Sequence, residues 1–190
     1  ILENIQLGQS DITPKLILET ASKFDVKLIK RPDYLATDTA SEVDAWKHAI
    51  NVVSEKKSFD VFVSVPCTAP LRSADDIKNS INLLDDRTDL VITVTEANRN
   101  PYFNMVEHKP DGNIGLVCQP AGMVVARQQA PHVYSMNASI YVWHRRTLSK
   151  GLWNGRLKLH VMSRERSIDI DSPLDFAIVE MLMGKAKEAE

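Results

Sequence analysis

The sequence predicts an α/β fold built on a mainly parallel sheet, on three observations. Strand-like and helix-like stretches alternate from the start, with Asn4–Leu7 extended, a helical pattern from Pro14, and Val26–Ile29 extended again. The β-branched and aromatic run Val61–Val65 leads through a proline-bounded loop into a helix that opens with Ser73 and Asp76. Near the end, Ser167-Ile168-Asp169-Ile170-Asp171-Ser172-Pro173 joins an extended stretch to a last helix. Strand, helix, strand in succession is the unit from which parallel sheets are made, because a parallel neighbour can be reached only by a crossover.

Composition narrows the function classes. A chain of 190 residues can bury the core of one α/β domain. The net charge is −2 with no long basic run, which gives no electrostatic case for nucleic-acid binding. No stretch reaches the apolar length of a membrane span. Cys67 and Cys118 stand far apart, without zinc-like spacing, and imply a cytoplasmic protein with reduced thiols. The chain begins Ile1-Leu2-Glu3 with no Met, and this opening reads like the interior of a domain.

The elements run in order along the chain. Thr13 caps and Pro14 opens a helix whose apolar face is Ile17, Ala21 and Phe24. The hydroxyl-rich segment Leu35–Ser41 leads to a helix with Val43, Trp46, Ile50 and Val53 on one side. Its hydroxyls, Thr37, Thr39 and Ser41, suit either turns and caps or hydrogen bonds to a nucleobase or phosphate. Val61–Val65 reads as a central buried strand. It runs into Pro66-Cys67-Thr68-Ala69-Pro70-Leu71-Arg72, and a rigid loop at the carboxyl end of such a strand is where open α/β sheets bind ligands. The next helix turns Ile77, Ile81 and Leu84 inward. After the strand Leu90–Val94 the rhythm changes. Asp111-Gly112 marks a hairpin between Phe103–Val106 and Ile114–Val117, so residues 95–143 read as an arm with exposed apolar surface suited to a subunit contact. Strands ending at Trp143 and spanning Leu157–Val161 come next, and the last helix has Phe176, Val179 and Met183 as its inner face.

Chemistry concentrates in Asp169 and Asp171. Two apart in an extended strand, both carboxylates project from one face. Such a pair suits a hard divalent cation such as Mg²⁺, which takes few carboxylates and leaves its other positions to water and phosphate oxygens. Ser172 as N-cap and Pro173 in the first turn place the pair at a strand-to-helix junction. The same pattern also serves as a solvated strand end with a capping side chain.

Five stretches together resemble the acylneuraminate cytidylyltransferases: Leu35-Ala36-Thr37-Asp38-Thr39-Ala40-Ser41; Thr68-Ala69-Pro70-Leu71-Arg72 with Asp75-Asp76-Ile77; Val94-Thr95-Glu96 with Asn100-Pro101-Tyr102-Phe103-Asn104-Met105; Asn137-Ala138-Ser139-Ile140-Tyr141; and Ser167–Phe176. They occur in the family's order along nearly the whole chain. The resemblance implies a three-layer, Rossmann-like nucleotidyltransferase fold with a β-hairpin dimerisation arm, and a cytoplasmic homodimer. It implies the reaction of CTP with a nonulosonic acid to give CMP-sugar and pyrophosphate, by in-line attack on the α-phosphate. Under it Asp169 and Asp171 hold Mg²⁺ and are catalytic; Asp38, Thr39, Ser41, Thr68, Pro70 and Arg72 border the nucleotide; and Arg127, Asn137 and Tyr141 meet the sugar acid.

Three departures stand out. The family's glycine-rich, basic phosphate loop has no counterpart here, so the chain, residues 1–190, is expected to be one domain lacking that N-terminal segment and to turn over poorly alone. Pro66 stands where a base-contacting glutamine is usual, which leaves the nucleobase preference open. Ser135 stands where sialate-specific members commonly carry arginine, which removes a carboxylate contact and points to a legionaminic, pseudaminic or other nonulosonic acid. Two alternatives stay open: a nucleotide-sugar-binding protein without turnover, and a nucleotidyltransferase for another acidic sugar such as 3-deoxy-manno-octulosonate.

Overall fold

The computed structural model describes residues 14–37, 39–119, 122 and 124–188. The expected strand Asn4–Leu7, the cap Thr13 and the site residue Asp38 lie outside them. Helix α1 (Pro14–Ala21) is followed by α2 (Glu42–Ser54), strand β1 (Val61–Ser64), α3 (Ala74–Asn82), β2 (Leu90–Glu96), a hairpin of β3 (Val106–His108) and β4 (Ile114–Leu116), β5 (Tyr134–His144), β6 (Leu157–Val161) and α4 (Pro173–Glu188).

The main sheet has the order β1-β5-β2-β6. Strands β2 and β6 are parallel, and β5 runs antiparallel to both β1 and β2. Three of the four strands therefore point one way, and β5 is threaded against them. Helices cover both faces. Trp46 and Ile50 of α2 pack with Leu90, Ile92, Val94, Tyr141, Trp143 and Leu148, while Val91, Ile140, Val142 and Met162 form the opposite layer with Ile77 and Leu84. Period-two alternation along β2 and β5 divides their side chains between these layers. Trp46 is fully buried, with Tyr141 at 5.1 Å and Phe62 at 5.9 Å between ring centroids.

Several expected features take another form. Val26–Ile29 makes only an isolated bridge at Leu28, since Lys27 interrupts the run and Leu28 stays exposed, leaving little to bury. Among the described residues strand β1 lies at an edge of this sheet, and β2 and β5 hold the centre. Helix α1 ends at Ala21, so Phe24 lies past its last turn and is exposed. On α3 the buried helical residues are Asp76 and Ser80, and Ile81 is exposed. On α4 only Val179 of the three expected inner residues is buried. The Asp-Gly hairpin forms as expected, with Gly112 at φ 84° and Asp111 Oδ1 accepting the Asn113 amide at 3.0 Å. Of the stretch 95–143, only the part between β2 and β5 leaves the main sheet. Cys67 and Cys118 are both free. Among the described residues no helix is long and apolar enough to cross a membrane.

The sheet carries one irregularity, in β5. Ile92 pairs with Tyr141 and Val94 with Met136, so Thr93 alone faces residues 137–140 of β5. This is a bulge larger than the usual two-against-one kind, and Ala138 within it has φ 49°, a left-handed value that costs a non-glycine residue about 1–2 kcal/mol. The buried Thr93 hydroxyl spans the gap, donating to the Ile140 carbonyl at 3.2 Å and accepting the Ile140 amide at 2.9 Å. Elsewhere, Asp89 ties the sheet to the connection before β6: it accepts the Arg156 amide at 2.8 Å and Lys150 Nζ at 3.0 Å. These bonds, that of the Arg156 amide first and that of Lys150 next, outweigh burial and hold its carboxyl at about 2.

Thr93→Val, nearly isosteric, leaves the Ile140 amide and carbonyl unpaired in the core and should cost about 1–3 kcal/mol in denaturant unfolding. Because the Asp89 carboxyl titrates lower in the native chain than its ordinary 3.8, its contribution is present above that value and is lost as pH falls towards about 2. Urea midpoints of Asp89→Asn should therefore decline less steeply on acidification than those of the parent protein.

Candidate functional site

The bulge turns the middle of β5 toward the C-terminal ends of β1 and β2. Asn137 is buried; its amide nitrogen donates to Ser167 Oγ at 2.9 Å and approaches Met162 Sδ at 3.4 Å, and its Oδ1 accepts the Ser139 amide at 3.3 Å. Ser139 Oγ accepts from Arg72 Nε at 3.2 Å, and Arg72 Nη2 donates to the Pro66 carbonyl. The loop after β1 is thus folded back on its own arginine and fastened to β5.

The segment carrying Asp169 and Asp171 docks on this loop. It is expected as a strand, but residues 168–171 come after a 3₁₀ turn (Glu165–Ser167) and join no ladder. One backbone bond fastens it, from the Ile170 amide to the Thr68 carbonyl at 2.8 Å. A pairing this short cannot make a strand, and the next residues are already the helix cap. There Ser172 behaves as expected, its hydroxyl donating to Asp175 Oδ2 at 2.6 Å and accepting the Asp175 amide at 3.3 Å.

Charge gathers around Asp169. Burial lowers the Arg72 guanidinium from its usual value, while Cys67 and Asp169 act to raise it. The Tyr141 hydroxyl is pushed up to about 12 by burial, then by Glu42 and Asp169. Burial also lifts the Cys67 thiol, against its own backbone bond and Arg72 and with Asp169, which makes it a poor nucleophile. Glu42, though exposed as a residue, has a raised carboxyl pKa through desolvation, offset by Arg31 and increased by Asp169. Asp169 therefore acts electrically on Glu42, Cys67, Arg72 and Tyr141 together.

The donor set can be tested for a cation. Asp169 Oδ1 is buried and has no hydrogen-bond partner, an arrangement that is costly unless a hydrogen-bond donor or a cation completes it. Asp171 is exposed, so the two carboxylates differ in their surroundings. Among the described residues no group of three or more His, Cys, Asp or Glu side chains is placed to hold a metal. A cation held through Asp169 and Asp171 would keep most of its positions for water and phosphate, which fits Mg²⁺.

Other expected site residues lie further out. Thr68 and Pro70 are half-buried in the loop beside Arg72. Thr39 and Ser41 are exposed and line, with Tyr34, Lys47 and His48, a cleft of about 620 Å³. That cleft runs along the side of α2 that carries Asp44, Lys47, His48 and Asn51, opposite Trp46. It is a different space from the one around Asp169, whose charge acts on Glu42, Cys67, Arg72 and Tyr141. Arg127 is exposed on a 3₁₀ turn and donates to the Asn98 carbonyl at the foot of the arm. Sequence reasoning missed Glu42, Ser139 and Ser167. An acid in a first helical turn, a serine within a strand and another at the end of a 3₁₀ turn carry no distinguishing pattern. It also read Asp76 only as a cap, although Asp76 is 2% exposed and accepts Arg166 Nε at 2.8 Å, Arg166 Nη2 at 3.2 Å and His160 Nε2 at 3.2 Å.

No family model matches the chain. It is 34% identical over 193 residues to the post-translational flagellin modification protein B of Campylobacter coli, covering 94% of this chain and 81% of that protein. It is 35% identical over 174 residues to the CMP-N,N'-diacetyllegionaminic acid synthase of Campylobacter jejuni, covering 88% and 73%. The N-acylneuraminate cytidylyltransferase of Escherichia coli is 24% identical over 201 residues, 93% of this chain and 44% of that one. Among solved structures, a CMP:2-keto-3-deoxy-manno-octonic acid synthetase complexed with CTP matches with a TM-score of 0.62 at 12% identity, over 90% of this chain and 77% of that chain. The 4-diphosphocytidyl-2C-methyl-D-erythritol synthase of Anaerococcus prevotii matches at 0.56 and 12%, over 88% and 76%. The two structures establish the nucleotidyltransferase fold, and the sequence relatives establish more: the chain belongs to the acylneuraminate cytidylyltransferase family.

Proposed function

We propose that this cytidylyltransferase activates a nonulosonic acid of the legionaminic type, joining CMP from CTP to the sugar acid and releasing pyrophosphate. The buried, unpartnered Asp169 Oδ1 beside Arg72 carries the reading, because it is an anionic atom waiting for a positive partner at the ligand edge of the sheet. Asp169 and Asp171 are the groups that would hold Mg²⁺. When bound, the ion supplies neutralisation of the triphosphate and polarises the phosphate that is attacked.

The chain's own residues bind and orient. Thr68, Pro70 and Arg72 border the nucleotide, and Thr39 and Ser41, which line the cleft along α2, are assigned together with Asp38 to the cytidine. Asn137 and Tyr141 face the sugar acid from β5, and Arg127 meets it from the arm. Tyr141 stays protonated at neutral pH and can donate a hydrogen bond, since its hydroxyl titrates near 12. The anomeric hydroxyl attacks the α-phosphorus in line and pyrophosphate departs, so rate comes from alignment and charge neutralisation. A legionaminic-type substrate is supported over sialate by identity of 35% to the Campylobacter jejuni legionaminic synthase against 24% to the Escherichia coli acylneuraminate enzyme, and by Ser135 at the position where the family resemblance implies an arginine in sialate-specific members. Free Cys67 and Cys118 are consistent with work in the cytoplasm. The arm exposes Met105, Val106, Ile114 and Val117, and we assign it to a homodimer contact.

Asp169→Asn should lower metal-dependent pyrophosphate release from CTP and a legionaminic acid by at least about 100-fold while leaving the circular dichroism spectrum and melting temperature nearly intact. Undiminished release would remove the metal assignment. Val106→Glu together with Ile114→Glu should convert a dimer to monomers in light scattering; a parent protein that is already monomeric would refute the interface.

A further inference from the structure

The Asp76 carboxylate collects more donors than a helix cap requires. Oδ2 accepts the Ser73 amide at 2.9 Å, the Ser73 hydroxyl at 2.7 Å and Arg166 Nε at 2.8 Å; Oδ1 faces Arg166 Nη2 and His160 Nε2, each at 3.2 Å. A capping box is completed by the Ser73 contacts alone, and a solvated carboxylate performs it well. Here the carboxylate is buried at the junction of three elements: the N-terminus of α3, strand β6 through His160, and the 3₁₀ turn through Arg166. Burial, the largest single influence, would raise its pKa, yet the bonds from Arg166, Ser73 and His160 together hold it well below the ordinary range.

Two of these elements, α3 and the 3₁₀ turn, are the flanks of the candidate site. Helix α3 begins one residue after Ser73, the neighbour of Arg72, and the turn bearing Arg166 ends two residues before Asp169. Between those flanks the segment 168–171 has one backbone bond, Ile170 to Thr68. A loop with so little pairing of its own takes its position from its ends. Its start is gripped twice, by Arg166 on Asp76 and by Ser167 Oγ, which accepts from Asn137 at 2.9 Å and donates to the Ser163 carbonyl at 2.7 Å.

We propose that Asp76 and Arg166 are positioning residues of the cytidylyltransferase site: their two-point ion pair locks the aspartate segment against the Thr68–Arg72 loop and thereby sets where Asp169 presents its buried oxygen. This rests on the reading of Asp169 and Asp171 as metal ligands. The planar guanidinium matters, because two parallel bonds fix an angle that one ammonium contact does not. Groups that orient metal ligands from behind typically change metal affinity about 10-fold to 100-fold when removed.

The test uses the full chain and Mn²⁺ alone, a spectroscopic stand-in that favours the same oxygen ligands, with free ion counted by electron paramagnetic resonance. Arg166→Ala and Asp76→Asn should each weaken Mn²⁺ binding about 10-fold or more, with Arg166→Lys between them and the parent protein. Hydrogen exchange at the Ile170 amide should quicken in the same order, and half-saturating Mg²⁺ for pyrophosphate release should rise more than the KM for the sugar. Unchanged Mn²⁺ affinity in Arg166→Ala, in a parent protein whose binding is lost in Asp169→Ala, would overturn the positioning role and leave Asp76 as a cap. If the parent and Asp169→Ala bind Mn²⁺ equally, the metal reading itself fails and the positioning role falls with it.

Discussion

The structure depends on how β5 is held while it departs from its ladder. Running against β1 and β2 at once, it must keep register with both or the core face would exchange with the other face. Below Tyr141 it nonetheless inserts residues 137–140 opposite a single residue of β2. The Thr93 hydroxyl replaces the missing ladder bonds by engaging both backbone groups of Ile140. Register above the bulge is preserved, with Ile140 and Val142 on one face and Tyr141 and Trp143 on the other. The released residues Asn137 and Ser139 become available to hold Ser167 and Arg72. One hydroxyl in the core thus reconciles a continuous sheet with a site that needs side chains aimed along the sheet's end.

That arrangement divides the work between rigid and weakly paired backbone. Arg72 is fixed from two sides, by Ser139 and by the Pro66 carbonyl, so its cation is presented with little freedom left to lose. The aspartate segment is the reverse, with one backbone bond and an orphaned oxygen. Beside them stands Glu42, whose carboxyl pKa Asp169 helps to raise, and a tyrosine made harder to ionise by both acids. Arg31 offsets Glu42 and Arg72 lies within reach of Asp169, and the divalent cation proposed for Asp169 would leave Arg72 to face a phosphate.

Much of this was legible from residue order. The layered α/β architecture, the Ser73–Asp76 cap, the Asp111-Gly112 hairpin and the Ser172 cap come from short-range chemistry that a sequence displays directly. The segment of Asp169 and Asp171 and the 68–72 loop also stand out in the sequence, and the structure joins these two segments through Ile170 and Thr68, although not with the two aspartates in a strand. What was not legible depends on partners far along the chain. Val61–Val65 has the composition of a central strand but lies at an edge of the described sheet, because β5 returns from the arm to sit between it and β2. Asn137-Ala138-Ser139 has no glycine or proline to announce a bulge. Helix α3 looks amphipathic by its Ile77 and Ile81, yet Ile77 is only partly buried against the sheet layer, Ile81 is exposed, and the most buried residues are Ser80 and Asp76, the latter meeting Arg166 and His160.

The buried Asp76 also explains why the aspartate segment is not a strand. A ladder pairing for residues 168–171 would place their amides and carbonyls on a neighbouring strand and leave the Arg166 side chain to solvent. Instead the chain spends three residues in a 3₁₀ turn shortly after β6. That turn swings Arg166 back onto α3 and directs Ser167 at Asn137. Continuing β6 would carry Asp169 further along the sheet, away from Arg72 and Tyr141. The turn brings it back to the loop after β1, where its charge reaches both. Irregular backbone at this point is the geometrical condition for bringing an acid from beyond the last strand and the arginine of the loop after β1 to one place, and under the positioning role proposed for it the pair of Asp76 with Arg166 would hold that irregular path in a single conformation.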